Sequence, residues 1–92
     1  MNYINSCIVE GKIAGFTKNL EWIEVILKVS RYTKNEKGKP VESFAEVPCR
    51  ITGGFMNFFE RYAKINKKMR IVGRLSGTEK LIVFAEHIEF KI

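Results

Sequence analysis

Residues 43–75 read SFAEVPCRITGGFMNFFERYAKINKKMRIVGRL, and the hydrophobic period changes twice within them. Through Ile51 the period is two: Ala45, Val47, Cys49 and Ile51 share an apolar face, while Phe44, Glu46, Pro48 and Arg50 share the other. Gly53 and Gly54 stop that alternation, and FMNFFERYAKI then places Phe55, Phe58, Phe59 and Tyr62 at helical spacing. NKKMR ends the helix, and MRIVGRL, with Ile71 and Leu75 flanking Gly73, returns to a strand. The stretch is therefore strand, one short amphipathic helix, strand, with the aromatic stripe of the helix expected to plug a core.

Working toward the N-terminus, KNEKGKP (34–40) has the Asn, Gly and Pro of a hairpin loop, so Val41–Ile51 should return antiparallel to the segment before it. That segment, Trp22–Thr33, is the clearest strand in the chain. Ile23, Val25, Leu27 and Val29 lie on one face, with Trp22, Glu24, Ile26, Lys28, Ser30 and Tyr32 on the other. TKNLE is a turn, and YINSCIVEGKIAGF (3–16) reads as a long first strand that bends at Gly11 and Gly15. Pro48 lacks an N–H, which implies an edge position or a bulge in the third strand. After the SGTEK turn, LIVFAEHIEFKI (81–92) is a fifth strand apolar on both faces, and with one helix available a second subunit is expected to supply part of its cover.

The order is three strands, a helix, then two strands. This is the order of an OB-fold, a five-stranded Greek-key barrel with a helix between strands 3 and 4, here all-β but for that helix and expected to form one domain over residues 1–92.

The chain carries 16 Lys and Arg against 10 acids, a net charge of +6, and every acid is Glu. Residues 28–39 hold five cations, Lys28, Arg31, Lys34, Lys37 and Lys39, against Glu36 alone, so net +4 is concentrated in one segment. A polyanion is the natural partner for such a patch. Two distant cysteines, Cys7 and Cys49, read as reduced strand thiols, and one His with two Cys makes no structural zinc site. The start MNYINSCIVEG has no signal-peptide pattern, and no apolar run approaches a membrane span, so a cytoplasmic protein without membrane attachment is expected.

Binding a single nucleic-acid strand without reading its sequence needs cations along the phosphates and flat side chains under the bases. Parity supplies both on the outward face: Lys28 and Tyr32 from strand two, Phe44 and Arg50 from strand three, with Lys34, Lys37 and Lys39 extending the surface through the loop. Arg74, outward on strand four, is a further phosphate contact. Trp22 shares that parity at the far end of its strand, where packing or an interface suits it better. Lys67, Lys68 and Arg70 follow the helix and read as a solvated turn, with a secondary phosphate track as the lesser alternative. The pattern alone leaves an ordinary basic hairpin open as well, because such loops are common and an outward aromatic also serves as a rim or subunit contact. No Ser/His/Asp set, phosphate-cradling Gly loop or metal-ligand cluster is present, and His87 beside Glu86 and Glu89 reads as a surface or interface residue, so neither enzymatic activity nor a cofactor is expected.

With these residues placed, the sequence resembles the bacterial single-stranded DNA-binding protein family. The resemblance rests on NSCIVEGKI, WIEVILKVSRY, the 43–75 block quoted above and VFAEHIEF, and it is most specific in ERYAKINKKMRIVGRL. It implies an OB-fold assembled as a homodimer or homotetramer that binds single-stranded DNA in replication, recombination or repair, with replication or repair proteins as partners and a nucleoid-associated location. It puts Tyr32 and Phe44 at family aromatic positions and Lys28, Arg31, Lys34, Lys37, Lys39 and Arg50 where members carry basic residues. Three departures stand out: AGFTKNLE is short, the LSGTEK hairpin is trimmed of a stacking aromatic, and the chain stops at EFKI without the acidic tail. The last implies a core domain or a short relative such as a phage, plasmid or primosomal version. An adaptor of the primosomal type, holding partner proteins with little DNA binding, is the alternative.

Overall fold

Trp22–Lys34 and Pro40–Thr52 form two long strands, β2 and β3, paired antiparallel in one unbroken register from Trp22 opposite Thr52 to Lys34 opposite Pro40. The computed structural model describes residues 5–77 and 79–91. Alternation does the work here: Ile23, Val25 and Leu27 of β2 and Cys49 and Ile51 of β3 are fully buried, and their neighbours face outward. Pro48 sits opposite Ile26 with no bulge. The other flank of β3 is paired at Cys49 and Arg50, in parallel with Val83 and Phe84, so Pro48 lies just outside that pairing, in an edge stretch of the kind that tolerates a proline.

The first strand, β1 (Cys7–Lys18), serves two neighbours. Its N-terminal half pairs with β4 (Lys68–Ser76), from Cys7 opposite Gly73 to Lys12 opposite Lys68, and its C-terminal half pairs with β2, beginning at Lys12 opposite Lys28. A register slip between Ile13 and Gly15 makes the bend that the glycines suggested. Gly11 permits close approach: a Cβ there would lie 2.6 Å from the Lys28 carbonyl oxygen. The strand starts later than expected, with Tyr3 and Ile4 outside the described residues, and continues past Phe16 to Lys18. The turn is confined to 19–21, where Asn19 Oδ1 accepts the Glu21 and Trp22 N–H groups at 2.8 and 2.9 Å.

The last strand, β5 (Ile82–Phe90), lies between β3 and β4, and the β1–β4 ladder closes the barrel in the order β1-β2-β3-β5-β4. This is the OB-fold. A slip at Val72/Gly73 lets both Val83 and Ile88 turn inward although their spacing is odd. Phe84 remains 39% exposed on the outward side of this strand and Leu81, just before it, 62%, but Glu86, His87 and Glu89 are exposed there as well, so the second face is mixed and not wholly apolar as expected. Two positions fall outside the described residues: Thr78, in the turn before β5, and Ile92, where that strand was expected to end.

The helix, α1 (Phe55–Tyr62), spans two turns and ends before Ala63, whose N–H donates to the Phe59 carbonyl at 2.8 Å. Its stripe is divided, contrary to a wholly core role. Phe59 is completely buried in the barrel end, a burial worth about 1.5–3 kcal/mol. Phe58 and Tyr62 stay 39% and 46% exposed and lean on Phe90, with ring centroids 5.6 and 6.2 Å away. So short a helix inserts one deep ring and leaves its flanks to the rim. Beyond it, Asn66 takes a left-handed turn (φ 71°) and donates its N–H to the Ile13 carbonyl at 2.8 Å, while Ile13 donates to Lys67 at 2.9 Å. The exit of the helix is thereby fastened to the bulge of β1.

From Ser30 to Glu46 every residue is exposed, so the β2–β3 ribbon leaves the barrel as an arm with both faces in solvent. The radius of gyration, 14.7 Å, exceeds the roughly 12 Å of a compact chain this long. No helix among the described residues is long and apolar enough to cross a membrane.

Candidate nucleic-acid interface

The register places Ser30 opposite Phe44 and Tyr32 opposite Glu42, with Lys28 one step down the same outward face. The Lys28 ammonium lies 4.1 Å from the centroid of the Phe44 ring. The Tyr32 hydroxyl donates to Glu42 Oε2 at 2.9 Å, and that bond to a carboxylate, with its charge, raises the phenol above its ordinary pKa of 10.0. These five residues form one wall of a cleft of about 620 Å³; Glu10, Gly11 and Lys12 of β1, Lys68 of β4 and Asn66 form the other. An open groove with two exposed rings and cations on both sides can receive flat bases and their phosphates.

Both acids in the groove are already engaged. Glu42 holds Tyr32. Glu10 accepts two hydrogen bonds from Arg70 at 3.3 Å and lies 3.5 Å from Lys91. Desolvation pushes the Glu10 carboxyl up, but the Arg70 hydrogen bond and the Lys91 and Arg70 charges together outweigh it, and its pKa falls below the usual 4.5. Among the described residues Lys12, Lys28 and Lys68 have no carboxylate partner.

The arm distributes the remaining lysines of its segment. Lys34 lies opposite Pro40 at the end of the ribbon. The loop that carries Lys37 and Lys39 is folded on Asn35, whose Oδ1 accepts both of their N–H groups at 2.9 Å, while Gly38 takes the left-handed turn (φ 77°). Arg31 lies opposite Ser43, on the ribbon face away from Tyr32.

Arg50 and Arg74 are not part of this groove. Arg50 donates to Glu24 at 2.7 Å and stacks its guanidinium 4.3 Å from the Trp22 ring centroid and 5.3 Å from that of Phe84. Arg74 pairs with Glu86 at 3.2 Å and lies opposite Phe84 in the ladder. Equal parity put Arg50 on the outward side of β3, but the barrel curls, and outward at that end of the strand is a different direction from outward at Phe44. Trp22, expected to pack, does so against Arg50.

Lys12 and Asn66 are groove residues that the sequence pattern did not single out, and Lys68 is one that it gave only a lesser phosphate reading. Lys68 is the first residue of β4, not part of a solvated turn. The signal for Lys12 was its outward parity beside Glu10, but only the pairing of β1 with both neighbours gives that parity a place.

No protein-family model matches the chain, and no curated protein matches it in sequence. Solved structures do. The single-stranded DNA binding protein of Thermus aquaticus superposes with a TM-score of 0.79 at 16% identity over 97% of this chain and 51% of that one. The fold is that of the single-stranded DNA-binding proteins. The chain spans about half the length of that Thermus aquaticus chain, which is a deletion mutant. The Plasmodium falciparum single-stranded DNA-binding protein, in complex with single-stranded DNA, gives 0.77 at 7% identity over 100% and 98% of the two chains. The dimeric N-terminal domain of PriB from Thermoanaerobacter tencongensis gives 0.65 at 21% identity over 96% and 97%. At these identities the likeness is one of fold.

Proposed function

We propose that this protein binds single-stranded DNA with little sequence preference, as one OB-fold unit in a homodimer or homotetramer and without catalytic activity, in replication, recombination or repair. The observation that carries this reading is the groove itself: Tyr32 and Phe44 lie side by side on one wall, while lysines without carboxylate partners among the described residues line both walls. Bases stack on any exposed aromatic face, and phosphates accept any cation, so such a groove holds a strand without discriminating its sequence. The likeness in fold to a protein solved with single-stranded DNA supports the choice of ligand. The exposed apolar side chains of Phe84 and Leu81 support association of subunits.

Titration with fluorescent dT oligomers, alongside a duplex of the same length and light scattering for subunit number, tests the proposal. Binding should favour the single strand and weaken linearly with the logarithm of salt, by about 0.7 per phosphate neutralised. A flat salt response, or equal affinity for the duplex, counts against it.

A second reading has its own observation. Gly54, Phe55, Phe58, His87 and Ile88 line an apolar recess of about 440 Å³ beside the helix, away from the groove. In that reading the recess holds a partner protein, in keeping with the likeness to the PriB domain. Weak dT binding together with retained oligomerisation favours this adaptor role.

A further inference from the structure

Lys12 is the one residue of β1 paired with both neighbours, and each partner is a lysine: Lys28 on β2 and Lys68 on β4. Three lysines therefore stand in one row across three adjacent strands, about 10 Å from end to end at the usual inter-strand spacing. Like charges directly opposite on neighbouring strands are destabilising. The next row shows how this sheet otherwise arranges charge. Glu10 lies opposite Arg70 and Arg70 opposite Glu89, with ion pairs at 3.3 and 3.7 Å. Among the described residues no such compensation is present one step away. All three lysines are exposed, all three line the same cleft, and Glu46 opposite Lys28 forms no ion pair with it among the described residues.

We propose that Lys28, Lys12 and Lys68 form a phosphate-binding row that carries a single nucleic-acid strand off the β2–β3 arm and across β1 onto β4. The inference rests on the single-strand binding proposed above and gives that site a direction. The row runs across the strands rather than along the ribbon, so a bound chain with bases on Phe44 and Tyr32 turns aside at Lys28 and passes its following phosphates to Lys12 and Lys68. Asn66 and the backbone of Gly11 border the row without adding negative charge.

The test compares wild type, Lys12→Gln/Lys68→Gln and a remote control, Lys80→Gln, in dT-oligomer titrations over a salt series, with thermal unfolding of each free protein. The double variant should lose about 1.4 from the salt slope, about 0.7 for each phosphate contact removed, while the control keeps the wild-type slope. The free double variant should also unfold at an equal or higher temperature, since the row repels itself when empty. An unchanged slope in the double variant, with wild type binding normally, overturns the row and leaves the groove standing. Failure of wild type to bind dT overturns both.

Discussion

Lys28 and Phe44 stand on neighbouring strands with the ammonium 4.1 Å from the ring centroid, so the cation covers one side of a ring that is still 54% exposed. An exposed contact of this kind contributes about 0.5–1 kcal/mol, little enough for a phosphate to draw the lysine aside and a base to take its place. For the proposed function, the pair supplies an exposed ring with a cation already beside it.

Phe44→Ala should weaken dT binding about tenfold to a hundredfold, matching ~1–3 kcal/mol for one stacked base, and leave the salt slope unchanged. Circular dichroism should report an intact barrel, because Phe44 lies on the arm outside the core. A fall in slope equal to that of a lysine variant would mean that the ring acts through Lys28 and not by stacking.

Glu42→Gln should raise single-strand affinity, by up to about fivefold at low salt and by less as salt screens the groove. The amide oxygen still accepts from the Tyr32 hydroxyl, so the ring stays where it is while one negative charge leaves. Because the Glu42 hydrogen bond and charge raise the Tyr32 pKa above its ordinary 10.0, ionisation of the phenol shifts to higher pH and should not weaken binding between pH 7 and 9. Titrations at three salt concentrations and two pH values check both statements.

Gly73→Ala should destabilise the fold by about 1–3 kcal/mol or prevent it. A Cβ at Gly73 would lie 2.1 Å from the Phe84 carbonyl oxygen, and backbone cannot swing aside as a side chain can. Gly54→Ala, where a Cβ meets nothing within 4 Å, is the matching control. Chemical denaturation of the two variants should separate them clearly.

Burial, aided by the nearby Cys7, pushes the Cys49 thiol up to about 12 from an ordinary 9.0. The folded protein then favours the neutral thiol, while the unfolded chain releases its proton near pH 9. Stability from this group is therefore complete below pH 9 and is lost as pH rises from 9 to about 12. Cys49→Val should remove that component, so wild type should lose stability relative to the variant above pH 9 in matched denaturation curves. The folded wild type should also leave Cys49 unmodified by thiol reagents at pH 8.

Much of the barrel was legible because period-two alternation is a local property. The faces of β2 and β3 followed from it directly, since each side chain's side is fixed by its neighbour's. The helix was legible in place but not in extent, and its stripe divides because only the ring at Phe59 reaches past the barrel end. Parity also brought Tyr32, Phe44 and Lys28 to one face. It misdirected Arg50, because a curled sheet turns one outward face through several directions.

Which residues alternate, where the chain turns and how strongly positive the arm is can all be read from neighbours a few positions apart. Tertiary structure alone decided which cations stand together. Lys12, Lys28 and Lys68 are separated by tens of residues, and only a bent first strand that pairs with two partners at once lines them up. It also decided which cations are neutralised, because ion pairs such as Arg50 with Glu24 and Arg70 with Glu10 form across strands whose register no single segment encodes.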